Sequence, residues 1–301
     1  MGRYCKYFVF LLIVSGIAAF FPLQRLPAEE SRDSDSKPAE WVEPGLFLDT
    51  NIAAAYNYLG LRWTNNLFYR FPLIKNPGML WKSTKIELGI SDELTPSYHR
   101  IFAMLAIEPI ALFDLKVFAG YDIQWAALTG GIYTTPAPET ITDWGSGYTD
   151  VYDETTRQTG HGFRLRVMPT VKAAVGPVAA TYTLTFGYHT YNTETATGYY
   201  YDAETASVHT VNDFYFTHDG KLIVQFLDFM AGANIVYMHV NSWGYSNLKL
   251  TGLVVYTPSW SFLPEGLNPY FILQAGSFID DRYLTGKFSF AGVLGLNAKL
   301  Y

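Results

Sequence analysis

Residues 112–125 read LFDLKVFAGYDIQW, and apolar and polar side chains alternate along this stretch. One set of alternate positions is entirely apolar: Phe113, Leu115, Val117, Ala119, Tyr121, Ile123 and Trp125. The other set is mostly polar: Asp114, Lys116, Phe118, Gly120, Asp122 and Gln124. Successive side chains of an extended strand point to opposite faces. The stretch therefore predicts one β-strand with an apolar face and a mostly polar face.

The same alternation recurs along most of residues 45–301 and predicts twelve strands. These strands are Leu46–Tyr58, Leu61–Phe71, Trp81–Ser91, His99–Glu108, Leu112–Trp125, Gly162–Val175, Val178–Tyr191, one within Val211–Phe226, Phe229–Val240, Asn247–Tyr256, Pro269–Phe278 and Gly286–Tyr301. Strands can cross lipid only in a closed barrel, where every backbone group is paired. We therefore predict an all-β fold, a transmembrane antiparallel up-and-down β-barrel of about 12 strands.

The connections between the predicted strands support this number. Five short turns are expected at Asn76-Pro77-Gly78, Pro109-Ile110-Ala111, Gly176-Pro177, near Asp228 and at Pro264-Glu265-Gly266. Gly and Pro supply the backbone angles that tight turns need. The longest connections, about 126–161 and 192–210, alternate with these turns. Twelve strands with both termini in the periplasm need five turns on that side, whereas eleven strands would leave one terminus on the wrong side.

The N-terminus has the pattern of an export signal. Arg3 and Lys6 precede an uncharged apolar run that extends from Tyr7 to Phe21, and Ala28 offers a small residue for cleavage. A second candidate cleavage site lies at 17–19, and an uncleaved membrane anchor is the alternative, although a membrane-spanning helix needs about 20 apolar residues. The expected organisation is a signal peptide at 1–28, a disordered acidic periplasmic tail at 29–44 and an outer-membrane barrel at 45–301.

Composition limits the classes of function. The chain has 21 basic and 27 acidic residues and a net charge of −6, and removal of residues 1–28 would make it more acidic. An acidic chain does not have the basic surface that nucleic-acid binding requires. Cys5, the only cysteine, lies in the signal, so a cleaved chain has no disulfide. Aromatic residues make up 17% of the chain, as is typical of barrels with aromatic belts at the membrane interfaces.

Over residues 45–301 the chain resembles the class of bacterial outer-membrane β-barrel proteins. The resemblance rests on the signal peptide, the alternation and the final aromatic residue, Tyr301. It implies a location in the outer membrane of a Gram-negative-type envelope, and contact with outer-membrane lipid and the barrel-assembly machinery. The chain differs from this class in one respect, because Tyr301 is out of phase with the apolar face of the last predicted strand.

The predicted inner face carries more basic than acidic residues. The basic ones are Arg62, Arg70, Lys85, Arg100, Lys116, Arg164, Arg166, Lys172, Lys249, Lys287 and Lys299. The acidic ones are Asp49, Glu87, Glu108, Asp114 and Asp122. This excess favours a narrow, porin-like pore for transport of small solutes, with a mild anion preference.

The candidate lumen contacts for a solute are Arg62, Arg100, Lys116, Arg164, Arg166 and Lys172. The alternative is a set of interior ion pairs that hold a narrow barrel shut. In that case Arg164 and Arg166 would pair with Asp114 or Asp122.

The long connections suggest a different, non-catalytic function in surface interaction. Aromatic residues lie there among acidic ones, and stacking of aromatic rings on sugars would suit a surface glycan as partner. The candidate contact residues are Trp144, Tyr148, Tyr199, Tyr200 and Tyr201. Membership of an aromatic belt explains the same tyrosines without any partner.

Catalysis has little support in the sequence. The six histidines form no H-E-x-x-H motif, and no G-x-S-x-G motif is present. We therefore predict no catalytic residues, no metal site and no cofactor, with a hydrolase site at the outer rim as the least favoured function.

Overall fold

The structure is a computed structural model. It describes residues 42–56, 60–74, 78, 80–81, 83–126, 131–137, 155, 157–192, 198–202, 205, 207–242, 244–264, 266–281 and 284–301. The expected signal peptide and residues 29–41 of the expected tail lie outside this part of the chain. Within it, no helix is long and apolar enough to cross a membrane.

Twelve strands close into one antiparallel barrel, in the order β1-β16-β15-β14-β13-β12-β9-β8-β5-β4-β3-β2. The barrel strands are β1 (Gly45–Tyr56), β2 (Gly60–Pro72), β3 (Lys85–Leu94), β4 (Tyr98–Ile110), β5 (Phe113–Gln124), β8 (Gly160–Val175), β9 (Val178–Asn192), β12 (Asn212–Phe226), β13 (Phe229–Val240), β14 (Tyr245–Tyr256), β15 (Leu267–Asp280) and β16 (Phe288–Lys299). The predicted number of strands and the up-and-down topology are confirmed. β1 closes the barrel by pairing with both β2 and β16, so that Ile52 lies opposite Trp63 and Leu294.

Four further strands form a second sheet in the order β11-β10-β6-β7. They are β6 (Ile132–Thr135), β7 (Arg157–Gln158), β10 (Tyr199–Asp202) and β11 (Ser207–Thr210). All four lie in the two longest connections, which the sequence analysis left without regular structure.

The alternation decides which side chains face outward. Large apolar residues are exposed on the outside of the barrel, among them Leu88, Ile90, Ile101, Val171, Leu222, Leu273 and Leu294. Their neighbours in sequence point into the lumen, where Arg100, Phe102 and Met104 are buried. In water such an outer surface would be unfavourable, but in a bilayer it matches the lipid.

Aromatic residues form rows near both ends of the outer surface. At one end, Phe226, Phe229, Tyr256 and Phe271 contact each other in series across four strands, with ring centroids 4.6–6.0 Å apart. At the other end, Tyr188 packs against Phe214 at 4.7 Å. Paired aromatic rows are the arrangement that membrane interfaces select in barrels.

The ends of the barrel differ in their connections. The turn end, at which β1 begins and β16 ends, carries connections 73–84, 111–112, 176–177, 227–228 and 257–266. The loop end carries 57–59, 95–97, 125–159, 193–211, 241–244 and 281–287. The five predicted turns thus fall at one end, although the first and last belong to longer connections. Tyr301 follows β16 at the turn end, and its carbonyl accepts a hydrogen bond from Leu46 N at 2.8 Å.

Candidate functional site: the lumen and its cap

A cap sheet, made of β6, β7, β10 and β11, packs against the lumen wall at the loop end. Ile132 and Tyr200 of this sheet are fully buried and contact Tyr191 of β9. His209 of β11 is also fully buried, and its ring lies 4.7 Å from that of His189 on β9. The burial of these side chains shows that the two long connections fold onto the barrel interior.

A network of buried charges joins the wall to the cap sheet. Nε of Arg100 and Nε of Arg164 lie 2.7 and 2.9 Å from the same carboxylate oxygen of Asp122. Nη2 of Arg164 also pairs with Asp202, the last residue of β10. The Tyr191 hydroxyl donates to Asp122. All five side chains are buried, so each charge depends on the others for its compensation.

Glu93 extends this network across β3, β4 and β8. Its carboxylate lies 2.6 Å from Nη2 of Arg166 and 3.6 Å from Nη1 of Arg100. The Arg166 guanidinium lies over the rings of Phe102 and Phe118, at 4.6 and 5.3 Å from their centroids. Aromatic faces attract cations, so these contacts hold Arg166 against the wall.

The contact between Arg164 and Asp202, together with burial, determines the protonation of the cap residues. Burial alone raises the pKa of Asp202, but attraction to Arg164, and after it to His209, outweighs burial and holds this pKa below its usual range. Burial raises the pKa of Tyr200. Asp202 is therefore an anion, and Tyr200 a neutral phenol, at neutral pH.

A second chain of ion pairs follows the wall at the turn end. It runs Arg70–Glu87 (2.7 Å), Lys85–Glu87 (3.2 Å), Lys85–Glu108 (4.0 Å), Lys172–Glu108 (3.2 Å) and Lys172–Asp114 (2.6 Å). Three acidic and three basic side chains alternate across β2, β3, β4, β5 and β8. Their charges largely cancel within the wall.

The predicted excess of positive charge in the lumen is therefore smaller than the sequence suggested. Four more acidic residues face the interior, Glu93, Asp202, Asp213 and Asp219, against one more basic residue, Lys221. Glu93 lies beyond the predicted end of its strand, and Asp202 lies in a connection. Asp213 and Asp219 belong to the strand whose bounds the alternation left open. Because the ends of the predicted strands were uncertain, the predicted number of inward-facing acidic residues was too low.

The predicted lumen residues have different environments. Arg100, Arg164, Arg166 and Lys172 lie in the two ion-pair networks, and Arg164 pairs with Asp122 as the alternative prediction proposed. Arg62 lies half-buried on the inner face of β2. Lys116, on the inner face of β5, is exposed to the lumen. The structure brings together the arginines near the cap and leaves Lys116 apart from them.

The predicted loop-contact residues are mostly inaccessible or outside the described chain. Trp144 and Tyr148 lie outside the described residues. Tyr199 is half-buried, whereas Tyr200 and Tyr201 are buried within the cap region. Buried rings do not have the exposure that stacking on a surface glycan requires, so in this conformation Tyr200 and Tyr201 serve the packing of the cap.

One hydrogen-bonded series was missed by the sequence analysis. Thr205 Oγ1 lies 2.7 Å from His209 Nε2, and His209 Nδ1 lies 3.3 Å from Asp213 Oδ2. Ser207 Oγ is 3.5 Å from the same Nε2. The spacing of Thr205, His209 and Asp213 at intervals of four was the available signal, but it matches no common catalytic motif. Among the described residues, no cluster of His, Cys, Asp and Glu is arranged to hold a metal ion.

A cavity of about 250 Å³ lies in the lumen beneath the cap. Its lining comes from β8, β9, β12, β13, β14, β15 and the cap connection: Arg166, Met168, Thr185, Thr205, Tyr215, Thr217, Val236, Met238, Asn247, Lys249 and Phe278. The half of the lumen opposite the ion-paired wall is thus open enough to hold a small molecule.

A closed antiparallel barrel with an apolar outer face, two rows of interface aromatics and a charged interior defines a transmembrane β-barrel of the bacterial outer-membrane class. No protein-family model and no curated protein sequence matches the chain. Several solved structures are similar to the chain in fold. The NanC porin is 9% identical, with 84% of this chain and 100% of that chain covered and a TM-score of 0.40. The translocator domain of the autotransporter NalP from Neisseria meningitidis is 10% identical, with 85% of this chain and 88% of that chain covered and a TM-score of 0.39. The outer membrane phospholipase A from Escherichia coli is 10% identical, with 90% of this chain and 95% of that chain covered and a TM-score of 0.31.

Proposed function

We propose that this protein is a channel for small solutes across the outer membrane, and that its cap sheet gates the loop end. The observation that carries the proposal is the buried pair between Arg164 of the wall and Asp202 of the cap sheet. An ion pair that joins a wall strand to a folded connection is a contact whose loss leaves the paired strands of the barrel in place.

Two features of the lumen favour passage over a purely structural role. The cavity beneath the cap leaves space that a packed interior would fill, and Lys116 is exposed to the lumen further toward the turn end. Lys116 and Lys249 have no described carboxylate within ion-pair distance, so they would provide a mild anion preference. The partners in this proposal are small anionic solutes.

The proposal also covers export of the chain and its insertion into the outer membrane. Residues 1–28 direct export and are cleaved, and the barrel-assembly machinery inserts the barrel into outer-membrane lipid. N-terminal sequencing of the protein purified from outer membranes tests the cleavage site directly.

The experiment for the channel is single-channel recording of the refolded protein in a planar bilayer. Wild-type protein should be mostly closed with brief openings, and Asp202→Asn should raise the open fraction because it removes the carboxylate that pairs with Arg164, while Arg164 keeps Asp122. Asp92→Asn is the matched control, since Asp92 pairs with His99 at 2.6 Å and touches neither the cap nor the lumen network. If both variants and wild type are silent although folded, the channel proposal fails and a surface-interaction barrel takes its place.

A rim hydrolase is the second candidate, and the series Thr205–His209–Asp213 favours it. The distances follow the pattern of a hydroxyl, a base and an orienting carboxylate. Thr205 also lines the cavity, so a substrate held there would reach its hydroxyl. Ester hydrolysis by the refolded protein, lost in Thr205→Val but kept in Ser207→Ala, would establish this activity. Equal activity in wild type and Thr205→Val would exclude it.

A further inference from the structure

The cavity beneath the cap has walls of two kinds. Met168, Val236, Met238 and Phe278 make an apolar part, and Tyr215 adds an aromatic ring. The hydroxyl groups of Thr185, Thr205 and Thr217, the amide of Asn247 and two cationic side chains make a polar part. Among the residues that line it, no acidic side chain occurs.

The two cations are not equivalent. Arg166 is matched by Glu93 at 2.6 Å and by the rings of Phe102 and Phe118. Lys249 is partly buried, and its Nζ lies 5.8 Å from the centre of the Phe278 ring. The carboxylate that attracts Lys249 is that of Asp219. Asp219 instead forms an ion pair with Lys221 at 2.7 Å and accepts a hydrogen bond from Asn234 at 2.5 Å. No described carboxylate pairs with Lys249, so its charge is directed at the cavity.

A partly buried ammonium without a counter-charge is unfavourable, because desolvation of an ion is compensated only by a partner. An anion in the cavity would supply that partner. Lys is a compact point charge that can contact one oxygen of a carboxylate, whereas bidentate recognition of a carboxylate or phosphate is a property of arginine. The site therefore fits a single negative charge.

The remaining lining restricts what carries that charge. Apolar side chains on one side of the cavity favour an aliphatic or aromatic body, and the hydroxyl groups and amide can bond the polar end. A volume of about 250 Å³ is below the roughly 300–1,000 Å³ of common ligand pockets. The ligand must therefore be small.

We propose that this cavity is a binding site for a small monocarboxylate, whose carboxylate contacts Lys249 Nζ and whose body packs against Met238 and Phe278. The inference deepens the proposed function by naming the class of solute. It rests on that function only because it takes the cavity to be part of the channel through the barrel. Binding itself requires no conduction.

Saturation-transfer NMR titration of the refolded barrel tests the site, with pentanoate and its neutral counterpart pentanamide as probes. Pentanoate should bind about tenfold or more tightly than pentanamide, because hydrogen bonds to a charged group are the strong ones. Lys249→Met should remove this difference, and Lys249→Arg should keep part of it. Lys85→Met is the matched control, since it removes a lumen cation of β3, which contributes no residue to the cavity lining, and it should bind pentanoate like wild type.

Val236→Phe provides a second test that keeps the charge and fills the space beside Lys249, which lies opposite Val236, and it should weaken binding of both probes. Equal binding of pentanoate and pentanamide to wild type would overturn the proposal, and so would unchanged pentanoate binding by Lys249→Met. Competition by sulfate as strong as by pentanoate would overturn the restriction to monocarboxylates. Pentanoate binding by a barrel that never conducts would refute the channel and leave the binding site standing.

Discussion

Arg100 and Arg164 reach the same oxygen atom from strands that lie on either side of β5, with Nε atoms 2.7 and 2.9 Å from Oδ2 of Asp122. Both guanidinium groups and the carboxylate are buried. One aspartate thus compensates two cations that would otherwise repel each other, and Arg164 extends the contact to the cap. Asp122 is therefore the centre of the network.

The first prediction concerns stability. Asp122→Asn should lower the free energy of unfolding by about 3–5 kcal/mol, since it removes the anion that two buried guanidinium groups share and leaves each with only its second partner, Glu93 for Arg100 and Asp202 for Arg164. Equilibrium unfolding in urea, followed by tryptophan fluorescence in lipid vesicles, measures this loss. Asp92→Asn, at a half-exposed pair, should change stability by less than about 1 kcal/mol. Equal losses in the two variants would contradict the central role of Asp122.

The second prediction tests the orientation of the strands. Leu273 is exposed on the outer face near the middle of β15, and its neighbour Gln274 faces the lumen at the same depth. Leu273→Arg should cost about 2–4 kcal/mol, as a charge near the bilayer midplane does. Gln274→Arg should cost much less, because its guanidinium remains in the polar interior. The same unfolding assay compares the two, and a reversed order would show that the faces are wrongly assigned.

The third prediction concerns packing inside the lumen. Gly187 of β9 lies opposite Tyr215 of β12, and a Cβ at Gly187 would stand 2.1 Å from the Tyr215 ring. Gly187→Ala should therefore destabilise the barrel by about 1–3 kcal/mol through overpacking. Gly252→Ala is the control, because the nearest atom to its Cβ is 3.8 Å away.

A double variant separates this clash from other effects of alanine. Adding Tyr215→Leu to Gly187→Ala should recover part of the lost stability, since the smaller side chain makes room for the new methyl group. If the two losses simply add, the ring of Tyr215 is not the cause.

The fourth prediction concerns pH. The pKa of Asp202 is lower in the folded protein than its ordinary value of about 3.9, so its contribution to cap docking is complete above that value and is lost as the pH falls below it. The open fraction in bilayer recordings should be constant from pH 8 to about 5 and rise only below about pH 4. Asp202→Asn should remove this rise. A transition near pH 6 would contradict the assignment of the gate to Asp202.

The barrel was predictable because a period of two residues directly reports which face each side chain occupies. Leu46–Tyr58 and Val178–Tyr191 were placed within two residues of β1 and β9, and Gly and Pro marked the turn at Gly176-Pro177. Errors concentrated at strand ends, where alternation stops being informative: the strand expected at Trp81–Ser91 is Lys85–Leu94.

The cap was not predictable in the same way. Its strands have two to four residues, too few to show a period, and the pairing of β6 with β10 joins segments that are more than sixty residues apart, such as Tyr133 and Tyr201. Asp202 carries no local sign that it meets Arg164. The same limitation hid the contacts of Thr205 and His209, because the polarity of a connection does not reveal that the connection folds inward.

The interior is divided unequally. The wall from β1 to β8 holds the two ion-pair networks and an aromatic cluster around Phe47 and Phe68, while the cavity lies against the wall from β8 to β15. Any bore is therefore eccentric, and a molecule inside the barrel follows one side of it rather than the axis. The number of strands determines the circumference of the barrel. In this barrel the free cross-section is smaller than that circumference implies. A conductance calculated from twelve strands and an empty cylinder would exceed the true value.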